Sequence, residues 1–337
     1  KNWAYRQDQL SSTHPIATDM VDIDTVKANF DGITYAKGAS VLHQLVAHVG
    51  RDNFIKGLQK YFAKHAFKNT VLSDLLVELE ATSGRDLSSW VSTWLQTSGV
   101  NTLRPVIESN GDSYKSISIK QEAPKIPAGS SELRPHRAAV GLYDLKDGQL
   151  LRRKSVELDI TGDLTQVKEL SGEKLADLIL INDHDLTYAK IRFDARSIAT
   201  LKAHLGKLDD GLSRALCWSA AWDMFRDAEL SATDFVEIAL TGLAGEDDIT
   251  TVTALMSQLN TAVEIYAADK NRDSLREKVA GALLSLLKSA KAGSDHQLQF
   301  ARSFAALAHS KEQGAEIRNI LDGKFQDLKI DADLRWH

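Results

Sequence analysis

Three sets of side chains invite a chemical reading: the histidines, a few closely spaced carboxylates and nucleophiles, and one tyrosine at the mouth of a helical stretch. The ten histidines do not fall at metal-ligand spacing. His43 and His48 are five apart, which on a helix turns the second about 140° from the first. Ligands on one helix face need a separation of three or four. His14 stands alone in a loop and reads as a structural or substrate-cleft side chain. His184, His204, His296, His309 and His337 are scattered through segments of different type, with no H-x-x-x-H pair among them. Glu78 and Glu80, two apart on a helix, face different directions and read as a solvated face, not an acid–base pair. Ser219 has no G-x-S-x-G context, and Cys217, between Leu216 and Trp218, reads as an inert core thiol. No glycine run has the form of a phosphate loop.

Tyr35 remains. It lies in Phe30-Asp31-Gly32-Ile33-Thr34-Tyr35-Ala36-Lys37-Gly38-Ala39-Ser40-Val41-Leu42. From Ala36 onward Val41, Leu42, Leu45, Val46 and Val49 make the stripe of a core-facing helix, which Gly50 stops. Gly38 and Ala39 in its first turns leave room for a close neighbour. The spacing therefore predicts a phenol projecting from the N-terminal end of a rigid element.

This stretch resembles the zinc aminopeptidases of the aminopeptidase N type, a gluzincin family in which an aromatic and then Ile-x-Tyr-x-Lys-Gly-Ala-x-Val open the helix bearing a catalytic tyrosine. Ser12-Thr13-His14-Pro15-Ile16 upstream, and Ser83-Gly84-Arg85-Asp86-Leu87-Ser88-Ser89-Trp90 with Trp94-Leu95 downstream, extend the likeness. The resemblance implies that Tyr35 donates a hydrogen bond to the oxyanion of a tetrahedral intermediate, beside a zinc ion, on a peptide substrate. Two family motifs are absent: H-E-x-x-H with its later glutamate, and G-x-M-E-N. No histidine here is followed by glutamate. Both motifs precede the tyrosine helix in family order. The expectation is a C-terminal portion whose parent holds Zn2+, which itself binds no metal and is inactive, and whose partner is the missing N-terminal part of the same protein.

Bulk properties narrow the remaining classes. Lysine plus arginine is 41 against 46 acidic residues, a net charge of −5, with no basic cluster of the kind a nucleic-acid surface needs. No apolar run approaches the ~18 residues of a membrane span. A single cysteine suits a reducing compartment, so the location read from the sequence is cytoplasmic. At 337 residues the chain is too long for one core.

The fold expected is multidomain and mainly α: the helical tail of a thermolysin-like catalytic domain over 1–102, a small β-sandwich over 103–194, and an α-helical solenoid-like domain over 195–337. In the first part Trp3, Tyr5 and Leu10 belong to an opening helix, and Asp19 to Asp24 forms a surface turn. Asp52, Ser73 and Asp86 cap helices carrying Phe54, Ile55, Leu58, Tyr61 and Phe62, then Leu75, Leu76 and Leu79, then Leu87, Trp90, Val91, Trp94 and Leu95. In the second, Ser116–Lys120 and Val156–Ile160 alternate as half-buried strands, and Asp147-Gly148 signals a hairpin. Pro124, Pro127, Pro135 and Gly129-Ser130-Ser131 form a loop, and 178–182 and 188–193 are further strands. This region reads as a spacer. In the third, stripes such as Ile198/Leu201/Leu205, Leu212/Leu216, Phe235/Ile238/Leu243 and Phe300/Phe304/Leu307 follow one another through short connections. The rival to an aminopeptidase portion is a noncatalytic helical scaffold or peptide-binding module.

Overall fold

The computed structural model describes residues 1–125, 131–325 and 328–337, and shows a mainly helical chain with two small sheets. It forms two compact units, residues 1–144 with 152–194, and residues 145–151 with 195–337.

The first unit begins with α1 (Asn2–Gln7), α2 (Ile23–Ala28), α3 (Gly38–Val49), α4 (Arg51–His65), α5 (Leu72–Ser83) and α6 (Ser88–Leu95). Helix α2 begins at the end of the acidic stretch from Asp19 to Asp24; residues 19–22 are non-helical, as a turn requires. Asp22 is its N-cap, accepting the Thr25 N–H at 2.7 Å, so one of those acids closes a helix end. In α3 the buried apolar positions are Val41, Leu45 and Val49, at i, i+4 and i+8, while Leu42 is exposed. One residue of helical rotation separates the two outcomes. Of the apolar residues expected along α4, Phe54, Leu58 and Tyr61 are half-buried and Phe54 packs against the core, whereas Ile55 and Phe62 are exposed and the fully buried position is Gly57. A methyl group there would come within 2.7 Å of Leu79 Cδ2 on α5, so the two helices meet backbone to side chain.

Capping is displaced by a residue or two from the sequence reading. Helix α5 begins after Val71, whose N–H Asp74 accepts at 2.9 Å, and Asp86 accepts the Ser88 N–H at 2.9 Å ahead of α6. Trp90, Trp94 and Leu87 are buried with Tyr5, Val41, Leu45, Leu79 and Tyr188 in one cluster. Burying each indole contributes on the order of 2 to 3 kcal/mol.

Among the described residues seven strands follow: β1 (Thr102–Asn110), β2 (Ser113–Glu122), β3 (His136–Lys146), β4 (Gln149–Ile160), β5 (Leu164–Gln166), β6 (Leu178–Asp183) and β7 (Lys190–Ile191). They form a four-stranded sheet in the order β5-β2-β1-β7 and a three-stranded sheet in the order β4-β3-β6. Strand β2 alternates with Ile117, Ile119 and Gln121 inward, and a register shift against β1 separates them from the buried Tyr114. Asp147 and Gly148, with φ of 52° and 79°, make the tight hairpin turn that their sequence signals. Of the segment expected to be a strand over 188–193, only Lys190 and Ile191 pair, in parallel with Thr102 and Leu103 of β1. Of the proline-rich loop, Pro127, Gly129 and Ser130 lie outside the described residues.

The second unit contains α7 (Ala195–His204), α8 (Gly211–Arg226), α9 (Ala232–Leu243), α10 (Ile249–Thr261), α11 (Asp269–Ser289), α12 (Asp295–Leu307), α13 (Lys311–Leu321) and α14 (Ala332–Trp336). Asp210, Ser231, Asp248, Ser294, Ser310 and Asp331 cap six of them through their own side chains. Gly242 on α9 lets Trp218 of α8 approach so closely that an added Cβ would stand 2.6 Å from the indole. Leu212, expected in the α8 stripe, is exposed; the buried face is Cys217, Trp218, Ala220, Ala221, Met224 and Phe225. Among the described residues no helix is long and apolar enough to cross a membrane.

Candidate active site

Tyr35 does not sit in the first turn of a regular α-helix. Residues Ile33–Lys37 form a single π-helical turn running into α3. The Ala36 and Lys37 N–H groups both reach the Gly32 carbonyl at 2.9 Å, the second of these bonds spanning five residues. Such an inserted turn shifts the phase of the side chains before it relative to those after it.

Each end of the turn is anchored by side chains from elsewhere. At its start, Asp31 Oδ1 accepts the N–H groups of Ile33 at 2.8 Å and Thr34 at 3.1 Å, satisfying donors that a helix start leaves open. The other oxygen, Oδ2, accepts from Gln7 Nε2 at 2.5 Å and faces His14 Nε2 at 3.1 Å. His14 is thus a structural partner of the carboxylate that caps the turn. Gln7 Oε1 in turn accepts the Gly32 N–H at 3.0 Å. A Cβ at Gly32 would meet both Gln7 and the Trp3 indole at 2.9 Å, which is why this position carries none.

At its end, Lys37 points inward and is fully buried, its ammonium 2.8 Å from Asp8 Oδ2 and 3.2 Å from the Gly99 carbonyl. It also lies over the Tyr188 ring, 5.7 Å from the centroid. Burial pushes the Lys37 ammonium down to about 8, against the pull of Asp8. Asp8 is saturated: it also accepts from Gly99 N–H at 2.7 Å, Thr13 Oγ1 at 2.9 Å and the Tyr188 hydroxyl at 3.2 Å. That hydroxyl's pKa is raised by burial and by the Asp8 charge.

Tyr35 itself faces outward. It is 49% exposed, its ring meets Phe30 edge-on at 4.8 Å, and Phe30 is 68% exposed. No side chain or carbonyl among the described residues takes its hydroxyl. A phenol displayed in this way has an unspent donor for a ligand oxygen.

A second network, invisible to motif reading, ties the tyrosine helix to the strand region. Gln44 Oε1 on α3 accepts the Tyr188 N–H at 3.0 Å and lies 2.5 Å from Thr187 Oγ1. Tyr5 donates to the Ala189 carbonyl at 3.0 Å, Lys190 to Gln9 at 3.1 Å, and Lys1 to the Thr187 carbonyl at 2.7 Å. His136, buried, has Nδ1 2.8 Å from Thr187 Oγ1 and Nε2 3.1 Å from Gln121 Oε1, and burial with the nearby Arg134 pushes its pKa down to about 3. The stretch 182–190 is therefore more than the spacer its sequence suggests. The one signal for this was the run of polar residues inside an otherwise buried segment.

Among the described residues no three His, Cys, Asp or Glu side chains come together as a metal-binding group. The donors that a catalytic zinc needs do not fit these residues. Cys217 is buried in α8, and Glu78 forms a surface ion pair with Lys64 at 3.1 Å.

Residues 1–94, which carry Tyr35 and both its anchors Asp8 and Asp31, match the peptidase family M1 domain. Over these residues the chain belongs to the M1 peptidase family. Residues 178–337 match the ERAP1-like C-terminal domain. Aminopeptidase N of Streptomyces lividans is 52% identical over 343 aligned residues, covering 100% of this chain and 40% of that relative. Tricorn protease-interacting factor F2 of Thermoplasma volcanium is 26% identical, covering 98% of this chain and 39% of its own length. Aminopeptidase M1-B of Oryza sativa is 31% identical over 58% of this chain. The chain thus spans about two fifths of the length of the curated relatives that it matches end to end.

Proposed function

We propose that this chain is the C-terminal portion of a zinc metalloaminopeptidase that removes N-terminal residues from peptides by attack of a zinc-activated water. Residues 1–102 form the helical end of the catalytic domain, 103–194 a β-sandwich and 195–337 a solenoid-like domain. The zinc ligands belong to a part of the enzyme outside this chain, so the chain alone is inactive. Its own contribution is Tyr35, whose hydroxyl donates a hydrogen bond to the oxygen that becomes negative as water adds to the scissile carbonyl. Donors placed where charge develops act in the transition state more than in the ground state, which is where rate is gained.

The observation that carries this reading is the exposed phenol, without a hydrogen-bond partner among the described residues, on a turn anchored at both ends inside a segment that matches the M1 domain. A cytoplasmic location is the companion proposal, in keeping with the single cysteine. The test is Tyr35→Phe in the full-length enzyme. Turnover should fall by about a hundred- to a thousandfold, as when one oxyanion donor is removed. Zinc content and unfolding midpoint should stay as in the parent. Normal turnover would remove Tyr35 from the site.

A further inference from the structure

Tyr35 is held loosely by its own contacts, since its one ring partner among the described residues, Phe30, is more exposed than it is. Its direction must therefore come from the backbone turn that carries it. Two residues apart on a helical turn point to roughly opposite sides. With Lys37 driven inward, Tyr35 is driven outward.

Resting on the reading of Tyr35 given above, we infer that Lys37 is a positioning residue: its buried ion pair with Asp8 holds the π-turn in register and so sets the direction in which the phenol is presented. The inserted turn places Tyr35 out of phase with α3. Relaxation to a plain α-turn would rotate it by about one residue's angle, roughly 100°. Opposing that relaxation are the ammonium contacts to Asp8 at 2.8 Å and to the Gly99 carbonyl at 3.2 Å. Asp8 is fixed independently through Gly99, Thr13 and Tyr188, so Lys37 closes onto a rigid point. A buried pair of this kind, costly to break from one side, is suited to specifying a register.

The experiment is Lys37→Met in the full-length enzyme labelled with 3-fluorotyrosine, the Tyr35 resonance being assigned by its absence from Tyr35→Phe. The Tyr35 resonance should move or broaden, and kcat should fall by up to about a hundredfold, the scale of a misplaced catalytic group, with little change in KM. In the Tyr35→Phe background, Lys37→Met should bring little further loss. An unmoved Tyr35 resonance in folded Lys37→Met, or an equal further loss of turnover without the phenol, would overturn the inference. Normal turnover of Tyr35→Phe would instead remove the catalytic reading, while the fluorine signal would still decide whether Lys37 positions the ring. Should Lys37→Met not fold, the neutral pair Asp8→Asn with Lys37→Met is put through the same measurements and read by the same outcomes.

Discussion

Replacing Arg134 by lysine keeps the charge and should nevertheless unfold the first unit at markedly lower denaturant. Arg134 is fully buried and uses its planar fork at four points. Nε donates to the Thr93 carbonyl at 3.0 Å, one terminal nitrogen to Asn101 Oδ1 at 2.7 Å, and the other to Thr97 Oγ1 at 2.7 Å and the Ser98 carbonyl at 2.8 Å. Two of those acceptors are carbonyls of the last turn of α6 and the loop after it, where a cation also meets the negative end of the helix dipole. The guanidinium lies over the Trp94 ring, 5.4 Å from its centroid. A lysine presents its donors from one point and cannot reach this spread of acceptors. If two of the four bonds are lost, at about 1.5 kcal/mol or more for each bond to a charged group, the loss is about 3 kcal/mol. With a urea m-value of about 2 kcal/mol/M, the midpoint drops by about 1.5 M. The assay is urea unfolding of the chain followed by tryptophan fluorescence, which reports Trp90 and Trp94 beside the substitution. Arg137→Lys is the control: its 3.4 Å contacts to Glu157 and Asp159 lie at the surface, where such a pair contributes at most about 1 kcal/mol. If Arg134→Lys unfolds at no lower urea than Arg137→Lys, the account of Arg134 as a buried fork tying α6 to the strand region is wrong.

Gly57→Ala should destabilise the unit even though alanine favours helix by about 1 kcal/mol over glycine. The new methyl would stand 2.7 Å from Leu79 Cδ2, 3.0 Å from Thr82 Oγ1 and 3.3 Å from the Glu78 carbonyl, and overpacking of this kind costs about 1 to 3 kcal/mol. A rise in the unfolding midpoint would show that α4 and α5 separate freely. His136 makes the stability of the same unit depend on acid. Burial, with Arg134 nearby, holds its pKa at about 3 in the folded state, so below the ordinary histidine value near 6.5 only the unfolded chain takes up the proton. Stability should therefore fall as pH drops from about 6.5 toward 3, by up to about 1.4 kcal/mol per pH unit from this group. Urea midpoints across that range, compared with His136→Asn, isolate it; equal slopes in both proteins would show that His136 titrates normally.

What was legible in the sequence is what neighbours along the chain decide. The run from Phe30 to Leu42 carries the M1 signature, and the helical or alternating periods of its surroundings separate helices from strands. Asp147-Gly148 needs only its own backbone to turn. Near-neighbour reasoning also locates caps to within a residue or two, because the choice among Asp52, Ser73, Asp86 and their neighbours depends on where the chain enters each helix. Which apolar stripe is buried was already beyond it. Leu42 and Val41 are adjacent and equally apolar, and only the neighbours packed on α3 choose between them. The same holds for α4, where Phe62 and Ile55 look outward while Phe54 packs on the core and a glycine meets α5.

The support of Tyr35 is decided by tertiary structure almost entirely. Lys37 finds Gly99 at a separation of 62 residues, Gln44 finds Tyr188 at 144, and Tyr188 finds Asp8 at 180. Nothing in the local pattern distinguishes Lys37 from a solvated lysine or Asp8 from a surface acid. Their pairing becomes favourable only once folding has removed water from both and supplied the other donors that Asp8 needs. The chain's order of residues names the phenol; the direction in which it points follows from charges brought together across the whole first unit, since a buried charge is stable only beside partners that distant segments provide.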